Sequence, residues 1–181
     1  VIFMYMSRIY IDQISKMDEG SENNSKQDKL YQKAEQSLLA ALKERPSYVE
    51  AALTLAQIRV QKKKYDSAVK GLTEFHAANG VQPRTGELLV QIYLEQDKYD
   101  EAYELLAQME ESDSDQLGVK LRMALILIQK KMFEPAAKKL EEILAVAPDS
   151  DKVRFYLAAV YEEMQNPEKA ILNFKRITKE C

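Results

Sequence analysis

The residues able to carry chemistry in this chain are few and poorly matched. His76 is the only histidine and Cys181 the only cysteine, so neither a histidine-based nucleophile triad nor a nitrogen and sulfur ligand set for a transition metal can be assembled. The acidic pairs Glu110-Glu111, Glu141-Glu142 and Glu162-Glu163 could in principle supply a general acid and base. On a helix, however, adjacent residues point about a quarter-turn apart, and each pair has Lys or Arg nearby, the pattern of a solvated helix face. The five glycines are scattered singly, which leaves no loop able to cradle a phosphate. The sequence predicts no enzyme, no catalytic residue, no cofactor and no metal site.

The charge balance narrows the partners. Twenty-six basic and 29 acidic side chains leave a net charge of −3, too little positive field to attract a polyanion, so nucleic acid is not an expected partner. The densest basic run, Lys62 to Lys64, and the pair Lys130-Lys131 read as solvated helix ends, where cations offset the partial negative charge of terminal carbonyls. A lone Cys makes no internal disulfide and leaves the compartment open between cytoplasm and cell envelope. Val1 to Met6 is apolar, but Arg8 interrupts it well short of the roughly 18 to 20 apolar residues of a membrane span, so no direct membrane span is expected.

The elements that would position any site repeat. Ala34, Ala68, Ala102, Ala136 and Ala170 stand 34 residues apart along the 181-residue chain, and four positions after each comes a bulky apolar residue: Leu38, Leu72, Leu106, Leu140 and Phe174. Tyr65-Asp66-Ser67-Ala68, Tyr99-Asp100-Glu101-Ala102 and Phe133-Glu134-Pro135-Ala136 share one local pattern. Upstream of each lies a second amphipathic segment with a large-then-small pair: Leu55-Ala56, Leu89-Val90, Met123-Ala124 and Leu157-Ala158. Small residues let two antiparallel helices approach closely, and large ones three or four places away fill the grooves beside them. Short polar stretches, Gln61 to Lys64 and Glu95 to Lys98, have the length of tight helix connections. Composition agrees, with 46% hydrophobic residues and only five Pro, among abundant good helix formers. Each unit is predicted to be a helical hairpin that finds its core by stacking on its neighbours.

This pattern resembles the tetratricopeptide repeat, a 34-residue helix-turn-helix unit with a Trp-x2-Leu-Gly-x2-Tyr first helix and an Ala-x3-Phe second helix closed by Pro. Departures are visible: Ala52, Gly86, Lys120 and Arg154 replace the Trp, and Gly80 and Ser114 replace the closing Pro that Pro46 and Pro148 keep, which weakens helix ends at two junctions. The resemblance implies an all-α fold, a right-handed α-α superhelix or solenoid of about five such units. They would form one array over 1–181, divided at about 1–46, 47–80, 81–114, 115–148 and 149–181. In the first unit, Phe3-x2-Met6-Ser7-x2-Tyr10 fits the first helix, but Ser7 lies 27 residues before Ala34 where Ala56 lies 12 before Ala68. The surplus is predicted as a flexible polar loop insertion at 18–28, with a phosphorylatable or ligand-binding insertion as the alternative. Ten helices are expected, at about 1–16, 28–45, 48–62, 65–78, 84–97, 99–111, 115–131, 134–146, 150–165 and 167–180. The sequence reads as a piece of a longer array.

By the same resemblance, the first helices line a concave surface that holds a protein or peptide partner. The positions expected to be free there are Leu53, Gln57 and Val60; Glu87, Gln91 and Leu94; Leu121, Leu125 and Ile128; and Phe155, Ala159 and Glu162. This lining is more apolar than charged, which suits an amphipathic helix or an extended peptide with apolar anchors. It lacks the Lys, Arg and Asn cluster by which some relatives clamp a terminal carboxylate. For Leu125 and Ile128, burial against the next helix is the competing expectation. A non-catalytic binding scaffold is the leading function. Self-assembly into a homo-oligomer through the apolar opening helix and an uncapped terminal helix is the second, and a docking domain of a larger enzyme the third. Arrays of this kind are common in bacterial proteins that organise assemblies at the cell envelope, an analogy carried by the resemblance alone.

Overall fold

The computed structural model describes residues 2–17, 21–112 and 116–177. Among them the secondary structure is wholly helical, in ten helices: α1 (Ile2–Ser15), α2 (Ser21–Glu44), α3 (Val49–Gln61), α4 (Tyr65–Asn79), α5 (Pro83–Glu95), α6 (Tyr99–Ser112), α7 (Gln116–Gln129), α8 (Phe133–Val146), α9 (Asp151–Glu163) and α10 (Pro167–Ile177). The predicted helix ends hold to within a few residues, with one exception. Part of the loop expected at 18–28 is helical, because α2 starts at Ser21 and runs for 24 residues. The physical reason is that Glu, Lys and Gln are good helix formers, and the segment from Ser21 contains neither Gly nor Pro. Polarity denies this stretch a core, not a helix. The remainder of that loop lies outside the described residues.

The chain forms two compact units, Val1–Ile92 and Tyr93–Cys181. In the first, α1 pairs with α2, α3 pairs with α4, and α2 carries α3. In the second, α6 packs on α7, α7 pairs with α8, α8 carries α9, and α9 pairs with α10. All of these pairs are neighbours in sequence, as hairpin stacking requires.

The repeated residues are the closest-packed ones. Ala34, Ala68, Ala102 and Ala136 are fully buried, as are Leu38, Leu106 and Leu140, with Leu72 1% exposed. The missing side chain volume at each Ala is what brings the hairpin's backbones together, and the Leu one turn later fills the groove thereby made. Truncating one of these leucines to Ala would cost roughly 2–5 kcal/mol. Ser7 is the small residue of α1, at the place that Ala56, Ala124 and Ala158 hold in later first helices; it is fully buried, and its hydroxyl donates to its own helix at Met4 O, 2.8 Å away.

Four first helices end alike. Lys63, Asp97, Lys131 and Gln165, also 34 residues apart, have φ of 55°, 56°, 58° and 55°. In each case the next amide reaches back five residues, Lys64 to Arg59, Lys98 to Tyr93, Met132 to Leu127 and Asn166 to Tyr161, at 2.7–2.9 Å. The left-handed residue turns the chain sharply and lets orphan carbonyls find donors. Between hairpins, Gly80 does related work. Its φ is +76°, its amide donates to His76 O at 2.8 Å, and Asn79 Nδ2 bonds the carbonyls of Pro46 and Phe75. The junction expected to be weakened by loss of Pro is therefore closed by other bonds. The second such position, Ser114, lies outside the described residues.

Candidate functional site

Helical packing sorts the twelve predicted lining residues by how much surface they keep. In the first unit, Gln57, Glu87 and Gln91 are exposed and Val60 is half-buried. Leu53 is not available: it is 7% exposed. The reason lies in α3 itself, where Ala51, Ala52, Leu55, Ala56 and Ile58 are buried as well, and a helix that is apolar on nearly every side is a core helix. Glu87 and Gln91 each already have an interaction partner, so the first unit presents a polar strip.

The second unit is different. Leu94, Leu121, Leu125, Ile128 and Ala159 are half-buried and Glu162 is exposed. Leu121 and Ile128 pack against the core made by α7, α8 and α9, so each divides its surface between core and solvent. Ile126 and Leu127, from the same apolar run, are buried. Phe155 is the opposite case, 55% exposed, with its ring edge-on to Phe174 at 6.0 Å and to Tyr156 at 6.2 Å. Leu121 and Phe155 hold the same place in successive first helices, 34 residues apart. An aromatic ring propped by two others and open to water is a pre-ordered anchor for an apolar side chain.

Several of the remaining polar groups are paired within the fold. Glu141 and Glu142 point apart as helix geometry requires. Glu141 accepts the hydroxyl of Tyr161, while Glu142 joins Lys120 at 3.4 Å and Lys139 at 3.8 Å. Glu110 closes that cluster, 3.6 Å from Lys120 and 3.0 Å from Lys139. Burial first, then the bond to Glu141 and its charge, push the Tyr161 phenol up to about 12. His76, in the last turn of α4, is half-buried and shares a 2.8 Å hydrogen bond between Nε2 and Thr85 Oγ1. Desolvation lowers its pKa from the usual imidazole value. Among the described residues, no group of three or more His, Cys, Asp or Glu could hold a metal ion, and no helix is long and apolar enough to cross a membrane.

The basic runs are only partly the solvated ends the sequence suggested. Lys63, Lys64, Lys130 and Lys131 are exposed. Lys62 instead pairs with Asp28 of α2 and lies 5.0 Å over the Tyr31 ring, and Lys130 pairs with Asp100 of α6. Both tie a first helix to the second helix before it. Arg59 adds a third such tie that sequence reading missed. Its Nε donates to Glu35 Oε1 of α2 at 2.8 Å, and a guanidinium nitrogen donates to Ser67 O of α4 at 2.9 Å. The guanidinium lies over Gly71, where an added Cβ would stand 2.8 Å from it. The only advance sign was a Gly inside a helix pattern.

Comparison with known proteins agrees with the helical-repeat fold. Residues 26–73 match the tetratricopeptide repeat family model. No curated protein matches the sequence. Among solved structures, MamA (AMB-1) superposes with a TM-score of 0.68 at 22% identity, over 98% of this chain and 90% of that one. MamA (MSR-1) gives 0.63 at 25% identity, over 96% and 95%. A tetratricopeptide repeat protein from Parabacteroides merdae gives 0.68 at 18% identity, over 97% of this chain and 67% of that one. The chain has the fold of these repeat proteins, and over residues 26–73 it carries the family's sequence pattern as well.

Proposed function

We propose that this tetratricopeptide-repeat chain is a non-catalytic scaffold that holds a helical or extended peptide of a partner protein on the first-helix face of its second unit. The observation that carries the reading is Phe155, more than half exposed and held in place by Tyr156 and Phe174, with half-buried Leu121, Leu125 and Ile128 one first helix earlier. Leu121, Leu125 and Ile128 are spaced four and three residues apart, so one face of α7 presents an apolar row. Such a row suits the apolar side of an amphipathic helix, whose own anchors recur at the same spacing.

Selection from a displayed library of amphipathic helical peptides against the whole chain tests this. Enriched peptides should lose about 30-fold in affinity on Phe155→Ala, the effect of removing an aromatic hot spot worth about 2 kcal/mol, and should be lost with Leu125→Glu. Circular dichroism shows that the variants remain folded. Peptides that bind these variants as well as the parent would place the binding face elsewhere.

A further inference from the structure

The first unit contains a cleft of about 340 Å³ lined by three helices, with Leu39 and Leu42 from α2, Ala52 from α3, and Leu72 and Phe75 from α4. Ala52, Leu72 and Phe75 are buried, whereas Leu39 keeps 46% of its surface. The cleft thus has apolar walls and an apolar edge open to water.

Its origin is a departure from the repeat. At the places of Leu42, Ala52 and Gly71, two repeats later, the second unit has Glu110, Lys120 and Lys139. With Glu142 these form one largely buried network: Glu110 lies 3.6 Å from Lys120 and 3.0 Å from Lys139, and Glu142 lies 3.4 Å and 3.8 Å from the same two lysines. The first unit has small or apolar residues instead, and Glu74, the counterpart of Glu142, lies at the surface 4.0 Å from Lys70. Gly71 stands inside α4, where only Pro is less favoured. Stacking does not require it, because Ser37, Leu105 and Asn173 hold the same place in other second helices and are all buried.

One cation is added in the same exchange. Arg59 takes the place of Leu127, its side chain is 15% exposed, and it lines the cleft beside Gly71. Its Nε donates to Glu35 and its Nη1 to Ser67 O, bonds that use two of the five N–H groups of a guanidinium. Glu35 is shared, since Lys64 Nζ lies 4.0 Å from its other oxygen, so two cations face one carboxylate. The other charged groups of the lining, Lys70 and Glu74, are of opposite sign and exposed at 4.0 Å from each other. The buried charge of the cleft is therefore positive and stands at one place.

We propose that this cleft binds a free medium-chain fatty acid, with the carboxylate on the Arg59 guanidinium and the chain along Leu39, Leu42 and Phe75. Apolar walls with one placed polar group are the make-up of a small-molecule site, and a guanidinium is the side chain best matched to a carboxylate. The volume, about 340 Å³, holds about ten water-sized groups at roughly 30 Å³ each. That is the size of a carboxylate with a short alkyl chain. The residues that make the site belong to α2, α3 and α4, and none of them is part of the Phe155 face.

Isothermal titration calorimetry of the whole chain with sodium octanoate and, in parallel, with the uncharged 1-octanol tests this. The parent should bind one octanoate saturably and bind octanol more weakly. Arg59→Met should weaken octanoate about tenfold or more, the effect of losing a hydrogen bond to a charged group, and leave octanol unchanged, which a merely structural role for Arg59 would not do. Gly71→Leu, the residue α6 has at Leu105, should abolish binding of both. Leu39→Gln changes an exposed side chain, so it keeps the fold, and it should weaken both; circular dichroism checks all three variants. A parent that binds no octanoate overturns the proposal, as does octanoate binding undiminished by Arg59→Met or by Leu39→Gln. Phe155→Ala should leave octanoate binding as it is, so this cleft and the peptide face stand or fall separately.

Discussion

Replacing Lys131 by Gly should stabilise the protein although it removes a side chain. Lys131 is exposed and holds φ at 58°, a conformation in which an L-residue's Cβ crowds the following carbonyl at a cost of about 1–2 kcal/mol. Glycine is free of that crowding but loses more freedom on folding, by roughly 0.5–1 kcal/mol relative to Ala. The difference leaves a net gain of about 0.5–1 kcal/mol, which in a domain of this length corresponds to a rise of about 1–4 °C in Tm. The hydrogen bonds that define the turn, Lys131 to Ile128 and Met132 to Leu127, are backbone bonds and survive the change. Lys131→Ala is the control, since Ala keeps the Cβ and should gain nothing. Lys63 and Gln165 should behave like Lys131, whereas Asp97 should gain less, because its carboxylate accepts the Tyr99 hydroxyl at 2.8 Å. Gly80 supplies the opposite sign. It also has positive φ, so Gly80→Ala should destabilise by about 1–3 kcal/mol even though no atom lies within 4 Å of the added Cβ. Chemical denaturation followed by circular dichroism reads all of these. If Lys131→Gly is no more stable than Lys131→Ala, the assigned cost of the left-handed turn is wrong.

Gly71→Ala weighs two known effects against each other. Helix propensity favours it by about 1 kcal/mol, while the new Cβ would stand 2.8 Å from an Arg59 nitrogen that is held by Ser67 O, with Nε on Glu35. The parent should therefore gain nothing or lose stability, and the same change in an Arg59→Met background should gain about 1 kcal/mol; equal effects in both backgrounds would dismiss the contact. His76 makes the folded chain weaker toward acid. Its pKa is lowered by desolvation, so the unfolded chain binds the proton more tightly; the stabilisation is complete above the usual imidazole value near 6.5 and is lost as pH falls through the lowered one. Denaturation midpoints across about pH 7.5 to 5 should show this slope, and His76→Gln should flatten it.

Packing made the fold legible because it acts on every copy in the same way. Ala34, Ala68, Ala102 and Ala136 are all fully buried, and a position that must be small in each hairpin announces itself as a period. The turn residues announced nothing by type: Lys63, Asp97, Lys131 and Gln165 share a conformation, not a chemistry, and the Gly that would have marked such a turn is absent. The start of α2 was missed for a related reason. Absence of apolar residues signals absence of burial, and the helix persists through 21–27 regardless. Leu53 was misplaced because register alone assigns it to the open row, whereas it is buried along with Ala51, Ala52, Leu55, Ala56 and Ile58 of the same helix.

The same reasoning explains why a chain with so readable a fold carries so little of its function in plain sight. Positions constrained by stacking repeat, as in Leu38, Leu72, Leu106 and Leu140. The row held by Leu53, Glu87, Leu121 and Phe155 does not repeat, and its members range from buried to more than half exposed. Packing constrains part of this row, burying Leu53 and seating Leu121 against the core, and leaves Glu87 and Phe155 exposed, so on the proposed reading a partner would select there. On the proposed reading specificity would reside in departures from the period, and Phe155 is the largest apolar departure in that row. A partner matched to this chain should consequently set its strongest anchor opposite α9, and swapping Leu121 and Phe155 should move that anchor's preferred position by one hairpin without altering the fold.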